Sequence, residues 1–169
     1  MIRIAGMQLE SVVDGYGIRN TIFTQGCRHH CKGCHNPETW PVNAGKLFDY
    51  DQQMKFINNS KENPLIDGLT LSGGDPIVQA HEVLKFIKLY KKEIPHHNIW
   101  LYTGYTYEEL ISMNDEDING ILDMIDVLVD GKFVLELRSL DCIFRGSTNQ
   151  RIIDMNKTKN GNVILLKEK

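Results

Sequence analysis

Three of the chain's four cysteines, Cys27, Cys31 and Cys34, fall within eight residues in the spacing C-x3-C-x2-C. Three thiolates so spaced can face one metal centre from a single short loop. Thiolate ligands suit iron–sulfur clusters and zinc. A [4Fe-4S] cluster normally takes four cysteines, so a three-cysteine loop leaves one iron open, and an open metal position is where a substrate binds. Structural zinc sites usually draw ligand pairs from two separated segments. Here no second Cys-x-x-Cys exists, and His35 adjoins Cys34, which makes joint ligation of one ion awkward. Spacing alone favours iron–sulfur and leaves zinc open.

At 169 residues the chain is expected to be one domain with one core. An apolar share of 41% is ordinary for a globular protein. A formal charge of −3 gives no reason to expect nucleic acid or an anionic membrane as partner. No apolar run approaches the roughly 20 residues that span a bilayer. The first residues, Met1-Ile2-Arg3-Ile4-Ala5-Gly6, lack the apolar stretch of a signal peptide. A cytoplasmic location is the expectation, and there clustered cysteines are metal ligands or catalytic groups rather than disulfides.

Hydrophobic spacing and turn chemistry divide the chain. Ile2–Leu9 and Asn20–Gln25 read as strands, the second with Ile22 and Phe23 as core candidates, separated by the glycine-rich turn Val13–Gly17. The second runs straight into the cysteine loop. Asp49–Glu62 reads as a helix with Met54 and Ile57 inward, closed by Asn63-Pro64. Asp67–Leu71 is a strand ending at Ser72-Gly73-Gly74-Asp75-Pro76. Pro76 suits the first turn of a helix running to about Glu93, with Ala80, Val83, Leu84, Ile87 and Tyr90 as its apolar stripe. Asn98–Tyr102 is a strand, Tyr107–Met113 and Glu116–Ile125 are helices, and Val127–Val129 is a buried-type strand. Gln150–Met155 and Asn162–Leu166 read as two final strands, joined by a turn whose Asn160-Gly161 pair favours a hairpin. Alternating strands and helices argue for an α/β fold with mainly parallel strands. About four βα units are too few to close an eight-stranded barrel, so an open, truncated βα partial barrel is expected, with room for a C-terminal antiparallel hairpin.

Four segments carry a resemblance: Gly26–Trp40, Leu71–Pro76, Leu101–Thr106 and Phe144–Arg151. The triad is the signature of the radical S-adenosylmethionine enzymes. Together the four segments resemble the activating enzymes of anaerobic ribonucleotide reductase, from roughly Gly6 to Asp154. The resemblance implies a single radical S-adenosylmethionine domain over residues 1–169, again a truncated partial barrel. It implies a [4Fe-4S] cluster on Cys27, Cys31 and Cys34, with S-adenosyl-L-methionine chelating the open iron. One electron would then cleave the cofactor to methionine and a 5′-deoxyadenosyl radical, which removes a hydrogen atom from one glycine of the reductase.

The same resemblance puts the cofactor beside Gly33, Cys34 and His35 and against Gly73, Gly74 and Asp75. Gly33 stands where many superfamily members carry an aromatic. Two glycines after a strand let backbone approach a ligand without steric block, so a side chain at Gly74 is expected to weaken cofactor binding and spare the iron. Asp75 has a second reading as a helix cap. Tyr102-Thr103-Gly104 and Asp130-Gly131 end two strands and are further candidates for contact, while Arg145, Asn149 and Arg151 are candidates for binding ligand or docking the partner. Cys142 reads as a small buried or half-buried thiol, and Trp40 and Trp100 as packing residues. The implied partners are anaerobic ribonucleoside-triphosphate reductase and an external one-electron donor such as a flavodoxin or ferredoxin. The alternatives are an activase of another glycyl-radical enzyme, a small-molecule radical enzyme, or a non-enzymatic zinc or iron–sulfur module.

Overall fold

One sheet organises the chain. The computed structural model describes residues 1–169. Its strands are β1 (Ile2–Ser11), β2 (Arg19–Thr24), β3 (Lys46–Phe48), β4 (Gly68–Gly73), β5 (Asn98–Tyr102), β6 (Val127–Asp130) and β7 (Arg151–Asp154). They lie in the order β3-β1-β2-β4-β5-β6-β7. The pairings β2–β4, β4–β5 and β5–β6 are parallel, and the three outer ones are antiparallel. Only β1 and β7 therefore run against the other five. The edges β3 and β7 do not meet, so the sheet is open.

The helices are α1 (Tyr50–Glu62), α2 (Ala80–Glu93), α3 (Tyr107–Ser112) and α4 (Glu116–Met124). Their starts are set by side chains that satisfy the first free amides. Asp49 and Gln52 form a reciprocal capping box on α1, Thr106 and Glu109 another on α3, and Asp115 caps α4. The segment expected as one helix from Pro76 begins as a 3-10 turn, Pro76–Gln79, and becomes α2 at Ala80. The stripe on α2 faces inward: Val83, Leu84, Ile87 and Tyr90 are buried.

Successive strand residues point to opposite faces, and the two faces differ. Ile22, Leu69, Leu71, Ile99, Leu101 and Leu128 join the helices in a cluster of 26 buried residues. On the other face only four buried apolar residues cluster, Trp100, Val127, Val129 and Ile152. That imbalance leaves the second face to loops, and there the sheet keeps room for a site. Phe23 alternates onto this face and is only half-buried.

The glycine-rich turn is more than a connection. Gly15 has φ +132°, and a Cβ on it would stand 2.8 Å from the Trp100 ring. Beneath it lies Arg19, fully buried. Its guanidinium donates to Thr70 Oγ1, Asn98 Oδ1, and the carbonyls of Tyr16, Leu69 and Asn98. It also sits 5.4 Å from the Trp100 ring centre. Burial lowers its pKa to about 10, so it is still a cation at neutral pH. Arg19→Lys keeps the charge but has three donors and no planar fork. It is expected to cost about 2 kcal/mol in a denaturant melt; a melt unchanged from wild type would show that these bonds contribute nothing.

Two expectations need correction. The strand β3 has no counterpart among the expected elements; three residues pair with the start of β1 at the edge. The second arm of the C-terminal hairpin does not form a strand. Asn160-Gly161 makes the tight turn, with φ 50° and 81°, but Asn162–Leu166 contributes only isolated bridges, from Asn162 to Lys159 across the turn and from Leu165 to Ile153. Near the terminus there is no further strand to pair its outer side, so few bonds would reward straightening it.

Candidate metal centre

The cysteine loop leaves the C-terminal end of β2 and returns beside it. Gly26 N donates to Thr39 O at 2.7 Å and Cys27 N to Trp40 O at 3.1 Å, closing the loop with a two-bond stem. Gln25 reinforces it, donating through Nε2 to the carbonyls of Glu38 and Pro41. Within the loop, His30 and Gly33 adopt left-handed backbone, φ 49° and 79°. These reversals fold the chain back between successive cysteines. Gly33 has a second reason to lack a side chain: a Cβ there would stand 2.9 Å from Leu135 Cδ1.

The three thiols line one cavity of about 240 Å³. The ends of three parallel strands share its wall: Ser72-Gly73-Gly74 at the end of β4, Tyr102-Thr103-Gly104 at the end of β5, and Gly131 just after β6. This is the face where parallel α/β folds place their sites, because the loops there vary without disturbing the sheet. All three cysteines are free and half-buried. Burial pushes the Cys27 and Cys31 thiols up, so metal binding must displace their protons. The Asn36 amide donates to Cys34 Sγ at 3.4 Å.

No three histidine, cysteine, aspartate or glutamate side chains converge on a point that would hold a single ion. Thiols ranged around a cavity suit a multi-iron cluster, in which each thiolate meets its own iron. Cys142 is half-buried and not among the residues lining the cavity. The donor set thus fits a cluster with one iron free of cysteine.

Among the residues expected at the site, Cys34, His35, Gly73 and Gly74 line the cavity. Gly33 is exposed and does not line it. Asp75 is fully buried and does not line it. It accepts the Ile77 amide, capping the 3-10 turn that opens at Pro76, so its second reading, as a cap, describes its place. The reason for the glycines also changes. A Cβ on Gly73 would strike the backbone of Phe23 and Thr24, and one on Gly74 the backbone of Gly26. The side chain missing at Gly73 makes room for the end of β2, and the one missing at Gly74 for the stem of the cysteine loop.

Of the strand-end candidates, Asp130 is buried and pairs with Arg151, away from the cavity. Arg151 also binds Glu108, and these two carboxylates raise its pKa. Asn149 donates to the Lys132 carbonyl at 2.8 Å. Arg145 reaches Glu168 at 3.3 Å and lines a hollow that adjoins the cavity through Tyr102, Gly146 and Gln150. Five residues that the sequence did not single out as site residues, His29, Asn36, Phe133, Gly146 and Gln150, line the cavity itself. Gln150 explains why: its amide ties Gly131 O to the amides of Gly146 and Ser147. The Phe144–Arg151 segment is itself a sequence signal, but nothing local marks its glutamine above the arginines on either side. Trp100 is buried in the second core, while Trp40 is half-buried and stacks on His30 at 4.5 Å.

Comparison with known proteins adds the following. A family model described as a 4Fe-4S single cluster domain matches residues 13–153. The anaerobic ribonucleoside-triphosphate reductase-activating protein of Haemophilus influenzae is 42% identical over 144 residues, covering 83% of this chain and 90% of that protein. Its namesake in Escherichia coli K12 is 39% identical over 142 residues, covering 82% and 90%. That of Enterobacteria phage T4 is 35% identical over 142 residues, covering 83% and 86%. Among solved structures, QueE from Escherichia coli superposes with a TM-score of 0.47 at 19% identity, over 62% of this chain and 53% of that one.

Proposed function

The chain belongs to the family of anaerobic ribonucleoside-triphosphate reductase-activating proteins, and on that premise we propose how its residues perform the activation. The chain is an enzyme that acts on the reductase, leaving a glycyl radical on it, and it uses a [4Fe-4S] cluster with S-adenosyl-L-methionine. We read residues 1–169 as one radical S-adenosylmethionine domain whose open sheet is a truncated partial barrel.

Cys27, Cys31 and Cys34 would hold the cluster. When bound, the cluster and cofactor supply the electron and the carbon radical that can take a hydrogen atom from glycine. The chain's own part is placement. Gly73 and Gly74 offer backbone groups on the wall facing the thiols, and Cys34 and His35 a second wall, while Gly33 turns the loop between them. The open edge between β3 and β7 leaves access for a loop of a folded protein, which a closed barrel would deny. The observation that carries this reading is the single cavity shared by three half-buried thiols and the glycine backbone at the end of β4.

An external one-electron donor of the flavodoxin or ferredoxin kind completes the proposal. Exposed Arg28 and Lys32 on the cysteine loop give such a donor a cationic surface to meet. No helix is long and apolar enough to cross a membrane, and a cytoplasmic location remains part of the proposal.

The reaction is checked directly by mixing reduced protein, S-adenosyl-L-methionine and the reductase without oxygen. A glycyl-radical doublet is expected on the reductase, with methionine and 5′-deoxyadenosine as products. Changing the reductase's radical glycine to alanine should remove the doublet. Cofactor cleavage without a doublet, alongside activation of a different glycyl-radical enzyme, would transfer the activity to that other partner.

A further inference from the structure

Asp75 stands where a cofactor contact was expected, yet it is fully buried, lies off the cavity wall and has both carboxylate oxygens engaged within the chain. Oδ1 accepts the Ile77 amide at 3.0 Å. Oδ2 accepts three donors: His29 Nε2 at 2.6 Å, the Thr103 hydroxyl at 2.9 Å and the Gly104 amide at 3.0 Å. An ionised carboxylate has about four acceptor sites, two on each oxygen; three donors crowd Oδ2 and one takes Oδ1. The donors come from three segments: the cysteine loop, the turn after β4 and the turn after β5. His29 is held in return. Its side chain is 6% exposed, and it packs edge-on against Tyr105 at 4.5 Å. Gly104 must be glycine because the His29 ring fills the space of its Cβ.

We infer that Asp75 and His29 are positioning residues: a latch that fixes the thiol loop against the ends of β4 and β5, with Asp75 making no contact to the cofactor. This rests on the cluster and cofactor reading above. His29 lies between Cys27 and Cys31, so holding its ring holds the span between two ligands. The stem at Gly26 and Cys27 restrains only the loop's base. Groups that orient metal ligands from behind typically cost 10–100-fold when removed.

The test compares wild type, His29→Leu, His29→Gln, Asp75→Asn and the His29→Leu/Asp75→Asn double variant after anaerobic reconstitution. The readouts are iron content and a titration of the reduced cluster's electron paramagnetic resonance signal with S-adenosyl-L-methionine. His29→Leu keeps all three thiols and is expected to retain iron. It should need about tenfold more cofactor for half the spectral change. His29→Gln, whose amide nitrogen reaches near the Nε2 position, should restore the titration. Asp75→Asn should match His29→Leu, and the double variant should be no worse than either, because coupled residues do not add.

Multiplying shifts in the double variant, or a shift in Asp75→Asn with none in His29→Leu, would make Asp75 a direct cofactor contact and overturn the latch. If Asp75→Asn does not fold, the His29 pair decides, and an unchanged titration in His29→Leu overturns it. Failure of the functional reading looks different: the wild-type cluster itself would ignore the cofactor. The latch is then read in the cluster-free protein. His29→Leu should speed alkylation of Cys27 and Cys31 by iodoacetamide about tenfold, and an unchanged rate overturns the latch without reference to the cofactor.

Discussion

Replacing Cys27, Cys31 or Cys34 by alanine is expected to abolish the intact cluster and all activation of the reductase, while Cys142→Ala keeps both. Reconstituted wild type should hold about four irons and four sulfides. Each of the three thiols lines the cavity, and with three cysteines already one short of the usual set, none is redundant. Cys142 lies in the long loop between β6 and β7 and is absent from the cavity wall. Iron and sulfide analysis with the visible thiolate-to-iron absorption checks this. Cluster loss in Cys142→Ala, with retention in Cys34→Ala, would reverse the ligand assignment.

Gly74→Ala is expected to cost at least about 3 kcal/mol and to lower iron uptake with it, the upper range for overpacking a tight site. The added methyl would meet the Gly26 carbonyl carbon at 2.9 Å and Thr39 O at 3.0 Å. Both are backbone atoms, and neither can retreat freely. Gly74 N donates to Thr24 O at 2.8 Å, Asp75 N to Gly26 O at 2.8 Å, and Gly26 N to Thr39 O at 2.7 Å. Relieving the clash separates β4 from the stem of the cysteine loop. Gly6→Ala is the control, since nothing lies within 4 Å of its Cβ position; it should melt close to wild type. A Gly74→Ala protein with wild-type stability and iron, but weakened cofactor binding, would restore the simpler account in which this glycine clears space for the cofactor.

Much of the fold is legible in the amino-acid sequence. The helix limits follow Asp49, Asn63, Thr106 and Asp115, because caps and breakers act over three or four residues and read locally. The strands β2, β4, β5 and β6 announce themselves as short apolar runs between turn residues. The C-x3-C-x2-C loop announces a cluster for a similar reason, its ligands being close in sequence. The edge strand β3 is illegible: three residues, two of them exposed, carry almost no pattern.

What the sequence determined by itself is therefore what is written within a few residues: element types, caps and the three thiols on one short loop. The tertiary structure alone decided which long-range partners those residues meet. Arg19, an ordinary surface residue by composition, became a buried hub because β2, β4 and β5 bring Thr70, Leu69 and Asn98 to one place. Gln150, more than 110 residues beyond the cysteines, reached the cavity wall because β7 pairs with β6. Asp75, a cofactor candidate by sequence, has its carboxylate engaged within the chain because His29 and Thr103, 46 and 28 residues away, point their donors at it. A side chain's chemistry is local, but its satisfaction is not: a buried carboxylate or guanidinium settles where the folded chain gathers enough partners to replace water.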